Sequence, residues 1–449
     1  MWFGNLCCCL LLYGYIVLCY LKNKRQRLLL TAIIGYFCCP VFKVGGMAVN
    51  GTYFITLILA LICLMEYAGG KTRLAGLRLY YLLFVILSVH FMLYATLVNG
   101  VADSRLIVSL LGQVNIFMGV LECALLYQTV ERPQEVLRKA VIITNIMHIT
   151  FGCLQLVSVK WGYLITDQLF ASPGRDGPLK VMRDIGDFYR IFGATYSPTI
   201  LGGYILVAFT FLLAYVLRER KKKIGRDLSA LALTLLIGLL AFSKTVILGV
   251  FIILVLEVGW CIFHLKKCNK KALFQCTGVM LGIFLLVIVI AYPTRLWGQV
   301  QYYFGKILSS PASALNTRYG NGVMDTSLKT LTASNQISAY ANTTYLTTAL
   351  IREHPLVGVG LVPVMGEFIG DSQYITVFHH GGVLLFLIFF FFYLSVFGEH
   401  YRRGKLAQFM VLAAIALCGV SMNSLEISVM VPFIAFCLGK WPGSQGGRL

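Results

Sequence analysis

Apolar runs of about 20 residues recur along this 449-residue chain, and they limit its fold more than any other feature. The clearest are 53–65 with their flanks, 106–127, 196–217, 244–263, 273–292 and 383–397. Each matches the roughly 30 Å hydrocarbon core of a bilayer. That core holds no water to satisfy peptide groups, so such runs must be helical. The alternation of a membrane β-barrel, in segments of about 10 residues, is absent. Charged residues make up 12% of the chain, about half the usual share in soluble domains. The expected fold class is therefore an all-α polytopic membrane protein.

The net charge of +20 would point to nucleic acid in a soluble protein. Its distribution argues otherwise, because 25 of the 38 basic residues sit in short clusters between apolar runs. The clusters are 22–27, 71–78, 131–139, 218–226, 264–271, 402–405 and 440–449. Lys and Arg collect in cytoplasmic loops and set orientation. Placing every cluster inside predicts spans near 5–21, 27–42, 52–68, 79–98, 106–127, 140–159, 196–217, 228–242, 244–263, 273–292, 377–398, 406–423 and 425–439. The N-terminus then lies outside and the C-terminus inside. The first run is followed directly by Lys22, Lys24, Arg25 and Arg27, the reverse of a cleaved signal's polarity.

The pairs 228–242/244–263 and 406–423/425–439 leave hardly a turn between spans. Each reads equally as one broken helix or a re-entrant hairpin, giving about 12–14 transmembrane helices. The expected organisation is N-terminal helices over 1–159, an extracytoplasmic loop 160–195 and central helices 196–292. A large, partly helical extracytoplasmic loop 293–376 follows, then C-terminal helices and a short tail over 377–449. Most of the 14 cysteines lie in apolar runs and no CxxC pair occurs. They read as small buried hydrophobes rather than a disulfide framework.

Thirteen basic residues defy the charge bias. Lys43, Arg105 and Lys244 fall singly at expected outer helix ends. Lys160, Arg175, Lys180, Arg183 and Arg190 lie in the first outer loop, and Arg295, Lys306, Arg318, Lys329 and Arg352 in the second. An anionic ligand and ordinary solvated loop charge are both open explanations. Within the large loop, Leu296, Val300, Phe304 and Leu308 step by four, as in a helix lying at the headgroups or packed on the bundle. Residues 309–339 read as loop and 340–353 as a helix stopping before Pro355. Gly358-Val359-Gly360 follows as a flexible turn.

Four local patterns occur in order. They are Arg190-Ile-Phe-Gly193-Ala-Thr-Tyr196-Ser-Pro198, Phe242-Ser243-Lys244-Thr245, Arg352-Glu-His354-Pro355-Leu-Val-Gly358-Val-Gly360, and Asp371-Ser372-Gln-Tyr374 with Gly382 beyond it. Together they resemble the O-antigen polymerase and ligase superfamily, and most closely its Wzy-type polysaccharide polymerases. Ligases of that superfamily carry His-Asn where this chain has Asp371-Ser372, which favours the polymerase branch.

The resemblance implies glycosyl transfer on the outer face of a bacterial cytoplasmic membrane. Its donor is a growing glycan on undecaprenyl diphosphate, and its acceptor a lipid-linked repeat unit. A chain-length regulator and a flippase of the same pathway are implied partners. Departing diphosphate builds negative charge that guanidinium groups can stabilise. Arg190 and Arg318 are therefore the first candidates, with Lys244, Arg352 and Tyr196 as substrate contacts. Asp371 is the leading candidate base for the acceptor hydroxyl, followed by Glu367 and His379. No acidic cluster suited to a metal stands in the outer loops, so metal-independent, cofactor-free chemistry is expected.

Two rival functions remain open at this stage. One is an O-antigen ligase; the other, of a different class, is a transporter or flippase for lipid-linked oligosaccharide. A transporter would place polar sites at midplane on broken helices. Among buried ionisable groups, Asn145 and His148 read as an interhelical hydrogen-bonding pair. Glu122 and Glu257 are expected to snorkel or pair near the inner end, and Glu426 to stand near the outer end.

Overall fold

The computed structural model describes residues 2–38, 41–44, 47–157, 191–195, 197–218, 225–241, 243–263, 270–291, 350–364, 372–420, 422–425 and 427–439. The described residues form thirteen α-helices: α1 (Trp2–Leu21), α2 (Arg25–Cys38), α3 (Thr52–Ala68), α4 (Leu77–Asn99), α5 (Ser104–Leu126), α6 (Pro133–Val157), α7 (Pro198–Arg218), α8 (Gly225–Leu240), α9 (Lys244–Phe263), α10 (Lys270–Ala291), α11 (Gln373–Arg402), α12 (Leu406–Cys418) and α13 (Val431–Leu438). Five of them, α4, α5 with its short extension to Thr129, α6, α7 and α11, are long and apolar enough to cross a membrane. The chain is an all-α polytopic membrane protein, as the apolar runs require.

One departure follows α2. The expected helix 27–42 ends at Cys38, and a two-stranded antiparallel hairpin follows, β1 (Val41–Val44) and β2 (Met47–Asn50), in the register Val44↔Met47. Pro40 cannot continue a helix. The strand-favouring run Val41-Phe-Lys-Val44, with two β-branched residues and an aromatic one, before Gly45-Gly46 is a hairpin signal that the apolar count concealed.

The bundle is built around α7. Its residues are apolar on every side, from Thr199-Ile-Leu to Tyr-Val-Leu217, and its apolar window is buried throughout. A helix hydrophobic all round belongs in a core rather than against lipid. Pro198 opens it at a position that needs no N–H donor. Helices α8, α9 and α12 pack around it. The other main pairings are α2 with α6, α3 with α5, α5 with α13, and α4 with α11. Phe84 of α4 stacks on Phe392 of α11 with ring centroids 4.4 Å apart.

The two doubtful helix pairs resolve differently. α8 and α9 are separate helices that touch across residues 241–243. α12 and α13 are 13 and 8 residues long, about 20 and 12 Å at 1.5 Å per residue. Neither reaches across a hydrocarbon core of about 30 Å by itself. Among the described residues between them, Ser428–Met430 form a one-turn helix and the rest are irregular.

Charges at helix ends are spent on joining helices. Arg138 of α6 bridges Asp227 of α8 and Glu135, the latter at 3.0 Å. Tyr215 of α7 donates to the other Glu135 oxygen at 2.7 Å. Arg25 of α2 similarly pairs with buried Glu66 of α3 at 2.7 Å. Truncating one member of this half-buried network leaves its partner charges unmatched, which is destabilising. Arg138→Met should therefore lower the thermal unfolding midpoint of detergent-solubilised protein more than Tyr215→Phe does. Equal midpoints for the two variants would contradict this account.

Candidate functional site

Helix α11 is broken eight residues after its start, at Gly381 (φ −158°, ψ 15°) and Gly382 (φ 62°, ψ −155°). Breaking a buried helix orphans carbonyls on one side and N–H groups on the other. Residues 355–360 supply partners to groups on both sides. Val383 N donates to Pro355 O at 2.8 Å and Leu384 N to Leu356 O at 3.2 Å. On the other side, His379 O accepts from Val359 N (2.6 Å) and Gly360 N (3.0 Å). His379 Nδ1 lies 3.0 Å from Gly360 O. A carbonyl only accepts, so Nδ1 is the donor in this pair.

Helix α4 closes the segment from its other side. Asn99 Nδ2 donates to Gly358 O at 2.9 Å. Thr96 Oγ1 accepts from Leu361 N at 2.9 Å while donating to Met92 O at 2.7 Å. Residues 358–362 are buried as a result. The Gly-Val-Gly turn expected to be flexible is thus a docked strap. The strap and the break each contain a position that requires glycine. Gly358 has φ +78°, and a Cβ there would lie 2.5 Å from Gly382 N; Gly382 in turn would clash with Leu356 backbone.

The break stands near one end of α11 rather than at its middle. Residues 383–402 form a 20-residue piece, about 30 Å long and able to cross the membrane alone. The two-turn piece 373–380 is held by the link between α12 and α13. Gln373 N donates to Gly419 O (2.9 Å), Gln373 Oε1 accepts from Leu425 N (2.8 Å), and Thr376 Oγ1 bonds Asn423 Oδ1 (2.8 Å).

The start of α7 is assembled by the same economy. Gln155 of α6 accepts from Phe192 N (3.0 Å) and Gly193 N (3.2 Å) and donates to Gly193 O (3.0 Å). His148 Nδ1 accepts from Ala194 N at 3.1 Å. Ile191 N reaches Leu240 O at the end of α8 (3.3 Å). Buried Ser243, just before α9, packs on Gly202 of α7, and Met422 of the link packs on the neighbouring Gly203. The link 419–425 therefore touches the start of α7 on one side and the start of α11 on the other. Of the four sequence patterns, the one at Ser372 bonds this link directly, and the one at Ser243 packs on α7 at Gly202, next to the glycine that Met422 meets.

Positions expected from sequence fall unevenly. Arg190, Tyr196, Arg318, Glu367 and Asp371 lie outside the described residues, as do Glu426, the helix expected at 295–308 and the polar stretch 309–339. Lys244 opens α9, with its side chain outside the described set. Arg352 is exposed on the helical turn 350–353. His379 is fully buried with Nδ1 committed to Gly360 O, the setting of a positioning residue. Arg105, read as a stray outer cation, pairs with Asp103 at 2.7 Å. Hydrogen bonds from the Arg105 side chain and backbone hold the Asp103 carboxyl below the usual range, and this carboxylate caps α5.

Of the buried polar groups, Asn145 pairs as expected, donating to Thr234 Oγ1 (2.7 Å) and accepting from Tyr204 (3.2 Å). His148 serves the 191–195 segment instead. Glu122 and Glu257 are both buried, and among the described residues their carboxylate oxygens have no hydrogen-bond partner. Sequence reasoning missed Thr96, Asn99, Gln155 and Gln373. His148 and Gln155 are seven residues apart on one face of an apolar helix, a spacing that could have flagged the pair.

No protein-family profile matches this chain, and no curated protein matches it.

Gly358→Ala should force the strap off the break, because left-handed backbone and the Cβ contact together cost more than about 2 kcal/mol. Protease cleavage between 350 and 364 should then rise several-fold. Gly278→Ala in α10, where a Cβ would meet nothing within 4 Å, should leave cleavage unchanged. Identical digestion of both variants would contradict the docking account.

Proposed function

We propose that this protein is a membrane glycosyltransferase of the Wzy-type polymerase class. It joins undecaprenyl-diphosphate-linked oligosaccharide repeats into a polysaccharide on the outer face of a bacterial cytoplasmic membrane. The observation that carries this reading is the docking of the 355–360 segment on the break in α11, whose first turns, beginning at the Ser372 pattern, bond the 419–425 link.

In this reading Arg190 and Arg318 hold the diphosphate leaving group, with Lys244, Arg352 and Tyr196 beside them. Fixed guanidinium groups act most strongly where water is excluded. Asp371 takes the proton of the acceptor hydroxyl, and Glu367 is the next candidate. Asp371 directly precedes Ser372, whose hydroxyl donates to Gly419 O at 3.2 Å. His379 braces the strap from within. The reaction is metal-independent and needs no cofactor.

A second reading is favoured by the break in α11. Interrupted membrane helices are characteristic of transporters, so translocation of the same lipid-linked oligosaccharide is the alternative. The position of the break near one end of the helix, rather than at midplane, weighs towards the polymerase.

Purified protein incubated with a single lipid-linked repeat unit should yield a ladder of extended glycans. Arg190→Ala or Arg318→Ala should cut extension by about 100-fold or more, the loss of one fixed charge contact to the transition state. Extension only after a separate acceptor is added would instead identify a ligase. Intact extension in both variants with blocked lipid translocation in vesicles would overturn the enzyme reading.

A further inference from the structure

Arg78 stands in the first turn of α4, at the end of that helix opposite the strap. About 30 Å of helix separates it from Asn99. Arg78 is 4% exposed, and its Nε and Nη1 are enclosed without a hydrogen-bond partner. Among the described residues no carboxylate pairs with it. A guanidinium cannot shed its proton, so leaving one unmatched costs far more than leaving a buried hydroxyl or amide unbonded. Snorkelling does not account for it, because a snorkelling arginine buries its stem and keeps its head in water. Arg25 and Arg138, the partly buried arginines among the described residues, are both matched by carboxylates.

The surroundings fit an oxyanion. Side chains in a first turn lean towards the helix start, where the N–H groups of Leu77, Arg78 and Leu79 have no hydrogen-bond partner among the described residues. Those groups and the helix dipole favour an anion and disfavour a lone cation. Nη2 is the guanidinium nitrogen that is not enclosed. It shares one edge of the fork with Nε, the arrangement that two phosphate oxygens accept. Exposed Lys71 and Arg73, on the connection leading into α4, add positive field. The acidic residue just before them, Glu66, is taken by Arg25. The depth is that of lipid headgroups: the apolar run of α4 begins directly after Arg78, and Tyr80 and Tyr81 are of the type that collects at a membrane interface. Leu79 and Leu83 are exposed alongside. We propose that the start of α4 holds a phosphate group through Arg78, supplied by the headgroup of an anionic lipid or by free phosphate. This inference does not rest on the proposed function.

The test follows the thermal unfolding midpoint of the delipidated full chain in phosphate-free detergent. Inorganic phosphate and short-chain phosphatidylglycerol are added separately to the unaltered protein, to Arg78→Gln and to Lys22→Gln, which removes an exposed cation between α1 and α2. Binding raises the midpoint of the unaltered protein by several degrees. Arg78→Gln loses most of that rise, and Lys22→Gln keeps it. A rise with phosphatidylglycerol alone assigns the headgroup, whereas a rise with inorganic phosphate assigns the free anion. No rise with either probe, or an equal rise in Arg78→Gln, overturns the proposal. An equal loss in Lys22→Gln reduces the effect to diffuse surface charge and overturns it too. Should Arg78→Gln not fold, an experimental map of the unaltered protein prepared with both probes decides the matter. Phosphate density at Arg78 Nη2 supports the proposal, and its absence there ends it.

Discussion

Every feature of interest in this protein depends on one requirement, that backbone polar groups buried in a membrane protein must find partners inside it. An intact helix meets that requirement by itself, and α7 is the plainest case. Helix α11 does not, because Gly381 and Gly382 interrupt it. The interruption persists because residues 355–360 supply acceptors to Val383 and Leu384 and donors to His379 O. Each hydrogen bond is worth only about 1 kcal/mol net. Their absence would cost more, since every unpaired group would remain buried. The strap and the break are therefore one structural unit.

The same requirement explains the link between α12 and α13. Irregular backbone at membrane depth is tolerated only where protein covers it. Gly419 O accepts from Gln373 N, and Leu425 N is taken up by the Gln373 side chain. Satisfying the link draws the start of α11 towards it, while Met422 lies against Gly203 near the start of α7. Two helix starts are brought together because one unwound connection needs bonding partners. In the proposed polymerase those two starts carry the residues that would meet the lipid diphosphate and the acceptor.

Buried polar side chains divide along this line. Thr96, Asn99, Gln155, His148 and Gln373 each serve unwound backbone, and their roles are explained by it. Arg138, Glu135, Asp227, Arg25 and Glu66 serve other side chains at helix ends. Glu122 and Glu257 serve neither, and the structure offers no physical account of why they are carboxylates.

The helices themselves were legible in the sequence. Runs such as Thr199–Leu217 and Leu77–Leu97 are too long and too apolar for any other structure in a bilayer, and hydrophobicity alone sets their extent within a few residues. The four motif segments were also legible as chemistry, since Arg, Asp and Gly-rich turns stand out against apolar surroundings. What the sequence did not show was where those turns go. Gly358-Val-Gly360 reads as loop by composition, and only a partner with orphaned groups, the α11 break, turns it into a buried strap. The hairpin after Cys38 was hidden because Val41–Val44 counts as apolar whether it is helix or strand. Gln373 and Gln155 looked like polar residues at helix ends until tertiary contacts gave them backbone to satisfy. Apolar patterning is local and can be read along the chain, whereas the pairing of unsatisfied backbone groups is decided only when distant segments meet.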